Sequence, residues 1–118
     1  PAALPVAWRV VGIGLEITFS EPLDPATAVD PGSYSLTHWN YRYAAQYGSK
    51  DWSVADPAKE GRDAVPVQAA ALSADGRTLT LRVPGLRPVM QFALRYNLDT
   101  AAGRPARGEV FGTINRVP

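Results

Sequence analysis

Cysteine is absent from the 118-residue chain. That removes disulfides, thiolate metal sites and cysteine nucleophiles together, while leaving export open. Histidine occurs once, as His38. A histidine zinc site or a Ser-His-Asp triad would rest on that residue alone, and no partner of fixed spacing accompanies it. Ser20 and Ser49 likewise have no base, orienting group or oxyanion hole in view. No window approaches the ~20 apolar residues of a membrane span, so membrane insertion is not expected. Charge of one sign is also lacking. Twelve basic and eleven acidic residues leave a formal charge of +1, and the two signs are interleaved. A nucleic-acid binder concentrates a basic excess on one face, so nucleic acid is not expected as a partner. Pro1–Pro5 has neither a basic start nor an apolar stretch, so no secretory signal is read there. The chain begins without Met and reads as a segment of a larger protein.

What is present alternates with period two. In Gly14-Leu15-Glu16-Ile17-Thr18-Phe19, the apolar Leu15, Ile17 and Phe19 share one face. Leu79, Leu81 and Val83 repeat the pattern, as do Phe92, Leu94 and Tyr96. Such alternation describes strands with one buried and one wet face. Further strands are expected at 6–11, 33–41, 65–72 and 109–114. Tyr34 and Leu36 complete the expected core.

Turn chemistry separates these runs. Asp75-Gly76 between two apolar segments signals a tight hairpin of type I′. Gly12-Ile13-Gly14, Pro84-Gly85 and Ala102-Gly103 supply further breaks. Pro25–Val29 is read as one helical turn, with Asp24 as N-cap and Pro25 in the first helical position. About seven short strands with regular turns indicate an all-β, immunoglobulin-like antiparallel sandwich. The length suits one domain spanning 1–118.

One stretch departs from the pattern. Residues 38–63 form a long aromatic-rich insertion without strand alternation, and loops of that length are usually functional or disordered. Its second half, Asp56–Asp63, is polar and is read as a solvated excursion. Its first half holds Trp39, Tyr41, Tyr43, Tyr47 and Trp52, five of the chain's eleven aromatic residues. If Tyr34 and Leu36 face the core, regular pleating puts Trp39, Tyr41 and Tyr43 on the opposite face. An exposed strip of rings there would stack on sugars, with Asn40, Gln46, Ser49, Lys50 and Asp51 beside it to bond hydroxyls. Two other readings stay open. A β-bulge near His38 would turn the rings inward, or the insertion would fold over the sandwich and use its aromatics as a satellite core.

Other residues are weighed more simply. His38 is read as a satisfied, half-buried side chain. Glu21, Asp24 and Asp30 surround a proline-rich turn, but their spacing matches no calcium loop and Asp24 already caps a helix. Trp8 is read as core or as the cover of an edge strand.

The segment Leu15-Glu16-Ile17-Thr18-Phe19-Ser20-Glu21-Pro22-Leu23-Asp24-Pro25-Ala26-Thr27-Ala28 resembles the opening of bacterial Ig-like domains of the surface-layer-protein type. Pro31-Gly32-Ser33-Tyr34-Ser35-Leu36 is similar to the strand that follows in that family. Ser73–Leu81 resembles its later hairpin and Asp99–Gly103 its closing turn. The insertion, with Trp39-Asn40-Tyr41-Arg42-Tyr43, looks like a subgroup found in large secreted bacterial chains carrying sorbosone-dehydrogenase-like and cytochrome c domains. The resemblance implies a secreted, periplasmic or cell-surface accessory module, and carries over no catalytic residues. The expected function is therefore non-catalytic: an interaction or spacer module docking other domains of its parent or a protein partner. The alternative is a carbohydrate-binding module that takes polysaccharide on Trp39, Tyr41, Tyr43, Tyr47 and Trp52. No enzyme activity, cofactor or metal is expected, because no acid/base pair or ligand constellation is present.

Overall fold

The computed structural model of the chain describes residues 3–42, 50–56 and 58–118, with 41, 42 and 50 described by backbone alone. Among the described residues nine strands form two antiparallel sheets. The first sheet contains β1 (Pro5–Val11), β2 (Gly14–Phe19), β6 (Ala69–Leu72) and β7 (Thr78–Arg82), in the order β1-β2-β7-β6. The second contains β3 (Tyr34–Arg42), β4 (Lys50–Trp52), β8 (Val89–Asp99) and β9 (Pro105–Ile114), in the order β4-β3-β8-β9. A short β5 (Asp63–Val65) also pairs with β3.

The period-two reading identifies the inner faces correctly. Leu15, Ile17, Phe19, Tyr34, Leu36, Leu79, Leu81, Val83, Phe92, Leu94 and Tyr96 are all buried in one apolar cluster. Register follows from the same alternation. Ile17 lies opposite Leu79 and Leu15 opposite Leu81, so a one-residue slip would turn both inner rows to solvent.

One expected strand is in fact two. Residues 65–72 divide between the sheets, with β5 pairing to Leu36, Thr37 and His38 and β6 pairing to β7. Pro66 stands at the crossing. It has no N–H for a ladder, which confines proline to places where pairing stops. The Asp75-Gly76 hairpin does link β6 to β7, but its geometry is not type I′. That turn requires two positive φ angles, whereas only Gly76 (φ 75°) is positive. Gly76 N–H donates to the Ser73 carbonyl and Ser73 N–H to that of Thr78, giving a four-residue loop closed through a left-handed glycine. Asp75 stays in the ordinary region and accepts from the Ser73 hydroxyl and the Arg77 N–H.

β9 runs longer than expected, beginning at Pro105. Its inward positions include Gly108 and Gly112, which blunt the apolar alternation in sequence. Aromatic side chains cover both glycines. A Cβ on Gly108 would stand 2.6 Å from the Tyr96 hydroxyl, and one on Gly112 would stand 2.3 Å from the Trp8 ring. Trp8 thus closes one side of the sandwich from edge strand β1, edge-to-face on Phe92 with ring centroids 5.0 Å apart.

The helical turn α1 (Pro25–Ala28) forms as expected, with the Asp24 side chain accepting from Ala26 N–H. A 3-10 turn (Pro31–Ser33) follows, capped in the same way by Asp30 through Gly32 N–H. Two of the three acids around this turn are therefore capping groups. Among the described residues no group of three or more metal-ligating side chains occurs.

β1 starts beside Ser20, whose N–H donates to the Leu4 carbonyl. β9 ends at the opposite pole, where the chain beyond it runs back to Gly12. The molecule measures 48 × 28 × 21 Å.

Candidate interaction surface

The insertion does not stand free of the sandwich. β4 pairs along the far end of β3, with Asn40 opposite Trp52, and β5 pairs along its middle, with His38 opposite Asp63. Where the second pairing continues, Arg62 comes to lie over Trp39. Its guanidinium carbon is 3.6 Å from the ring centroid. Asp51 of β4 fixes that guanidinium through an Nε–Oδ2 contact of 2.8 Å. A cation over an indole face is favourable, more so when the ring is desolvated.

This geometry corrects the expectation of an exposed ring at position 39. Pleating does put Trp39 on the outer face, but the ring is only 2% exposed. Returning chain covers it, and it remains outside the main apolar cluster. Neither alternative reading describes this cover: register along β3 stays regular through Trp39, and the group lying over the ring is the Arg62 guanidinium. Trp52 is half-buried. The side chain of Tyr41, and the whole of Tyr43 and Tyr47, lie outside the described residues. So do Gln46, Ser49 and the Lys50 side chain. The two remaining polar candidates are already engaged: Asn40 Oδ1 accepts from Met90 N–H, and the Asp51 carboxylate holds Arg62.

Asp63 ties the insertion down. Its carboxylate accepts from the Ser53 hydroxyl at 2.7 Å and from the N–H groups of Val54 and Ala55 at 2.7 and 3.1 Å. These donors, Ala55 N–H foremost and Ser53 next, hold its pKa below the ordinary carboxylate value. The stretch read as a solvated excursion thus ends in two anchored residues, Arg62 and Asp63. His38 is more buried than the sequence reading allows, at 5% exposure. Its Nε2 lies 3.7 Å from Asp63 and its Nδ1 has no hydrogen-bond partner among the described residues. Burial lowers its pKa, outweighing the opposing pull of Asp63, and Arg87 lowers it further. The side chain is accordingly held in its neutral form.

The open part of the outer face lies on β8 and β9, which the aromatic signal did not mark. A trough of about 460 Å³ runs between the 3-10 turn, β8 and β9, and a second of about 370 Å³ continues it toward Arg62. Ser35, Arg95 and Glu109 line both. Small residues form much of the floor, including Gly108 in the first and Ala93 in the second. Arg107 donates through Nε to Asn97 Oδ1 at 2.9 Å, while Arg95 lies 3.7 Å from Glu109. Phe111 stands opposite Ala93 on the same face and is 53% exposed. The alternation of Arg95 and Asn97 with Leu94, Tyr96 and Leu98 carried this signal in the sequence.

No protein-family model matches the sequence, and no curated relative does either. Solved structures do share its fold. One is the structure of surface layer protein SbsC, domains 1–6, with a TM-score of 0.65 and 15% identity over 98% of this chain and 14% of that one. Another is the crystal structure of the S-layer protein rSbsC(31–844), with a TM-score of 0.64, 15% identity and the same coverage. The chain therefore spans only 14% of the length of those proteins. Neither likeness supports the subgroup with sorbosone-dehydrogenase-like and cytochrome c domains. At this identity the two structures establish that the chain has the fold of a surface-layer-protein domain.

Proposed function

We propose that the chain is a non-catalytic structural module of a cell-surface or exported protein, docking end to end with neighbouring domains. The polarity of the sandwich carries this reading. β1 begins at one pole, beside Ser20, and β9 ends at the other, beside Gly12, so domains preceding and following would meet opposite ends of the sandwich. Each pole presents an apolar side chain: Leu4, 60% exposed, at the first and Ile13, 51% exposed, at the second. The likeness to surface-layer protein domains adds support, since one of those structures comprises domains 1–6 of a single protein. Tyr41, Tyr43, Tyr47 and Trp52 are a second candidate contact for a protein partner.

Small-angle scattering on two copies joined in tandem tests this reading. The expected particle is elongated, with a maximum dimension about twice the 48 Å extent of one copy. Replacing both Leu4 and Ile13 by Asp should then broaden the distance distribution by loosening the junction. A compact, side-by-side particle would overturn the end-to-end arrangement.

A further inference from the structure

The trough on the outer face of β3, β8 and β9 has donors in excess of acceptors and no ligand role in the reading above. We propose that it is a binding site for an acidic glycan, a polysaccharide bearing uronate-type carboxylates. The proposal is independent of the spacer reading, which stands or falls by the tandem particle.

The charge count comes first. Arg62, Arg95 and Arg107 line the trough and its continuation. Against them stand Asp51, which holds Arg62, and Glu109, which lies at 3.7 Å from Arg95. Among the described residues no carboxylate pairs with Arg107, whose one contact is to the neutral Asn97 amide. That contact engages Nε and orients the planar group, leaving its terminal nitrogens to donate. A guanidinium presents a fork that matches a carboxylate in bidentate fashion.

The rest of the lining selects among anions. Ser35 and the Asn97 amide nitrogen are short neutral groups placed beside the cations, as alternating carboxylates and hydroxyls require. Phe111 offers an exposed apolar ring farther along the same face. An extended peptide is served less well. β8 is paired on both sides, to β3 and β9, so a peptide could add a strand only at the outer edge of β9, beyond the trough. The volume, about 460 Å³, lies within the roughly 300–1,000 Å³ range of small-molecule sites.

Trigalacturonate titrated into the 118-residue chain, followed by amide chemical shifts and calorimetry, tests the assignment. The expected result is saturable, salt-sensitive binding with shifts centred on Arg95, Asn97 and Gly108. Arg95→Gln and Arg107→Gln should each weaken it by on the order of tenfold or more, the size of a hydrogen bond to a charged group. Both side chains are solvent-exposed, so the melting temperature should stay unchanged. Arg107→Lys should restore only part of the affinity, because it keeps the charge and loses the fork. The proposal is overturned by absence of binding, by shifts centred elsewhere, or by equal affinity for neutral cellotriose. Equally tight binding of a hexaglutamate peptide would also overturn it, in favour of an acidic peptide.

Discussion

Gly112 and Trp8 make a coupled pair whose energetics can be worked through. A methyl on Gly112 would approach two atoms of the Trp8 ring to 2.3 and 2.7 Å and Phe92 Cε2 to 2.8 Å. Phe92 is 1% exposed and cannot yield, whereas Trp8 sits on an edge strand and is 36% exposed. Gly112→Ala should therefore expel the indole. Returning on the order of 100 Å² of apolar surface to water costs about 2.5 kcal/mol at ~25 cal/mol per Å². Losing the edge-to-face contact on Phe92 adds roughly 0.5–1.5 kcal/mol. Relief of the glycine's chain entropy returns about 0.5–1 kcal/mol. The net expectation is a loss of about 2–3.5 kcal/mol. In a Trp8→Ala background the indole is gone and only the Phe92 contact must relax, so the same change should cost about 1 kcal/mol or less. Urea unfolding followed by circular dichroism on the four members of this cycle measures the coupling, expected at about 1.5 kcal/mol. Additivity within ~0.5 kcal/mol, the scatter of independent sites, would refute the argument that Gly112 exists to seat Trp8.

Two further outcomes follow from the core and the insertion. Ile17→Ala, at a position 1% exposed in the central inner row, should cost about 2–5 kcal/mol in the same assay; a loss below ~0.5 kcal/mol would mean that the register is wrong. Stability should also fall on acidification, in two windows. His38 titrates below its unfolded value of ~6.5. The unfolded chain therefore takes up that proton first, and stability declines as pH drops from about 6.5 toward the folded pKa. Asp63 titrates below its unfolded ~3.9, so its contribution is whole above that pH and is lost as pH falls through the folded value. Melting curves from pH 8 to 3 should show the upper step disappear in His38→Leu and the lower one shrink in Asp63→Asn. A melting temperature that stays flat between pH 7 and 5 would contradict the buried, neutral His38.

The inner faces, most turns and the Asp24 cap were legible in the sequence because each rests on local physics. Alternation marks Leu15, Ile17 and Phe19 whatever they pack against, and a proline after an aspartate sets a helical turn by itself. The crossing at Pro66 was hidden, since the apolar run through 65–72 looks the same in one strand as in two. β9 was under-read because Gly108 and Gly112 occupy inward positions, and only Tyr96, Phe92 and Trp8 reaching across from other strands explain them. The fate of Trp39 was a tertiary decision as well. Pleating fixes its face, but exposure depends on Arg62, twenty-three residues later, returning as its cross-strand neighbour under the hold of Asp51. The arginine trough is likewise assembled from β3, β8 and β9, segments far apart in the chain. Short-range pattern determines which side of a strand a residue takes; what lies over that side is set by long-range pairing, which no local pattern encodes.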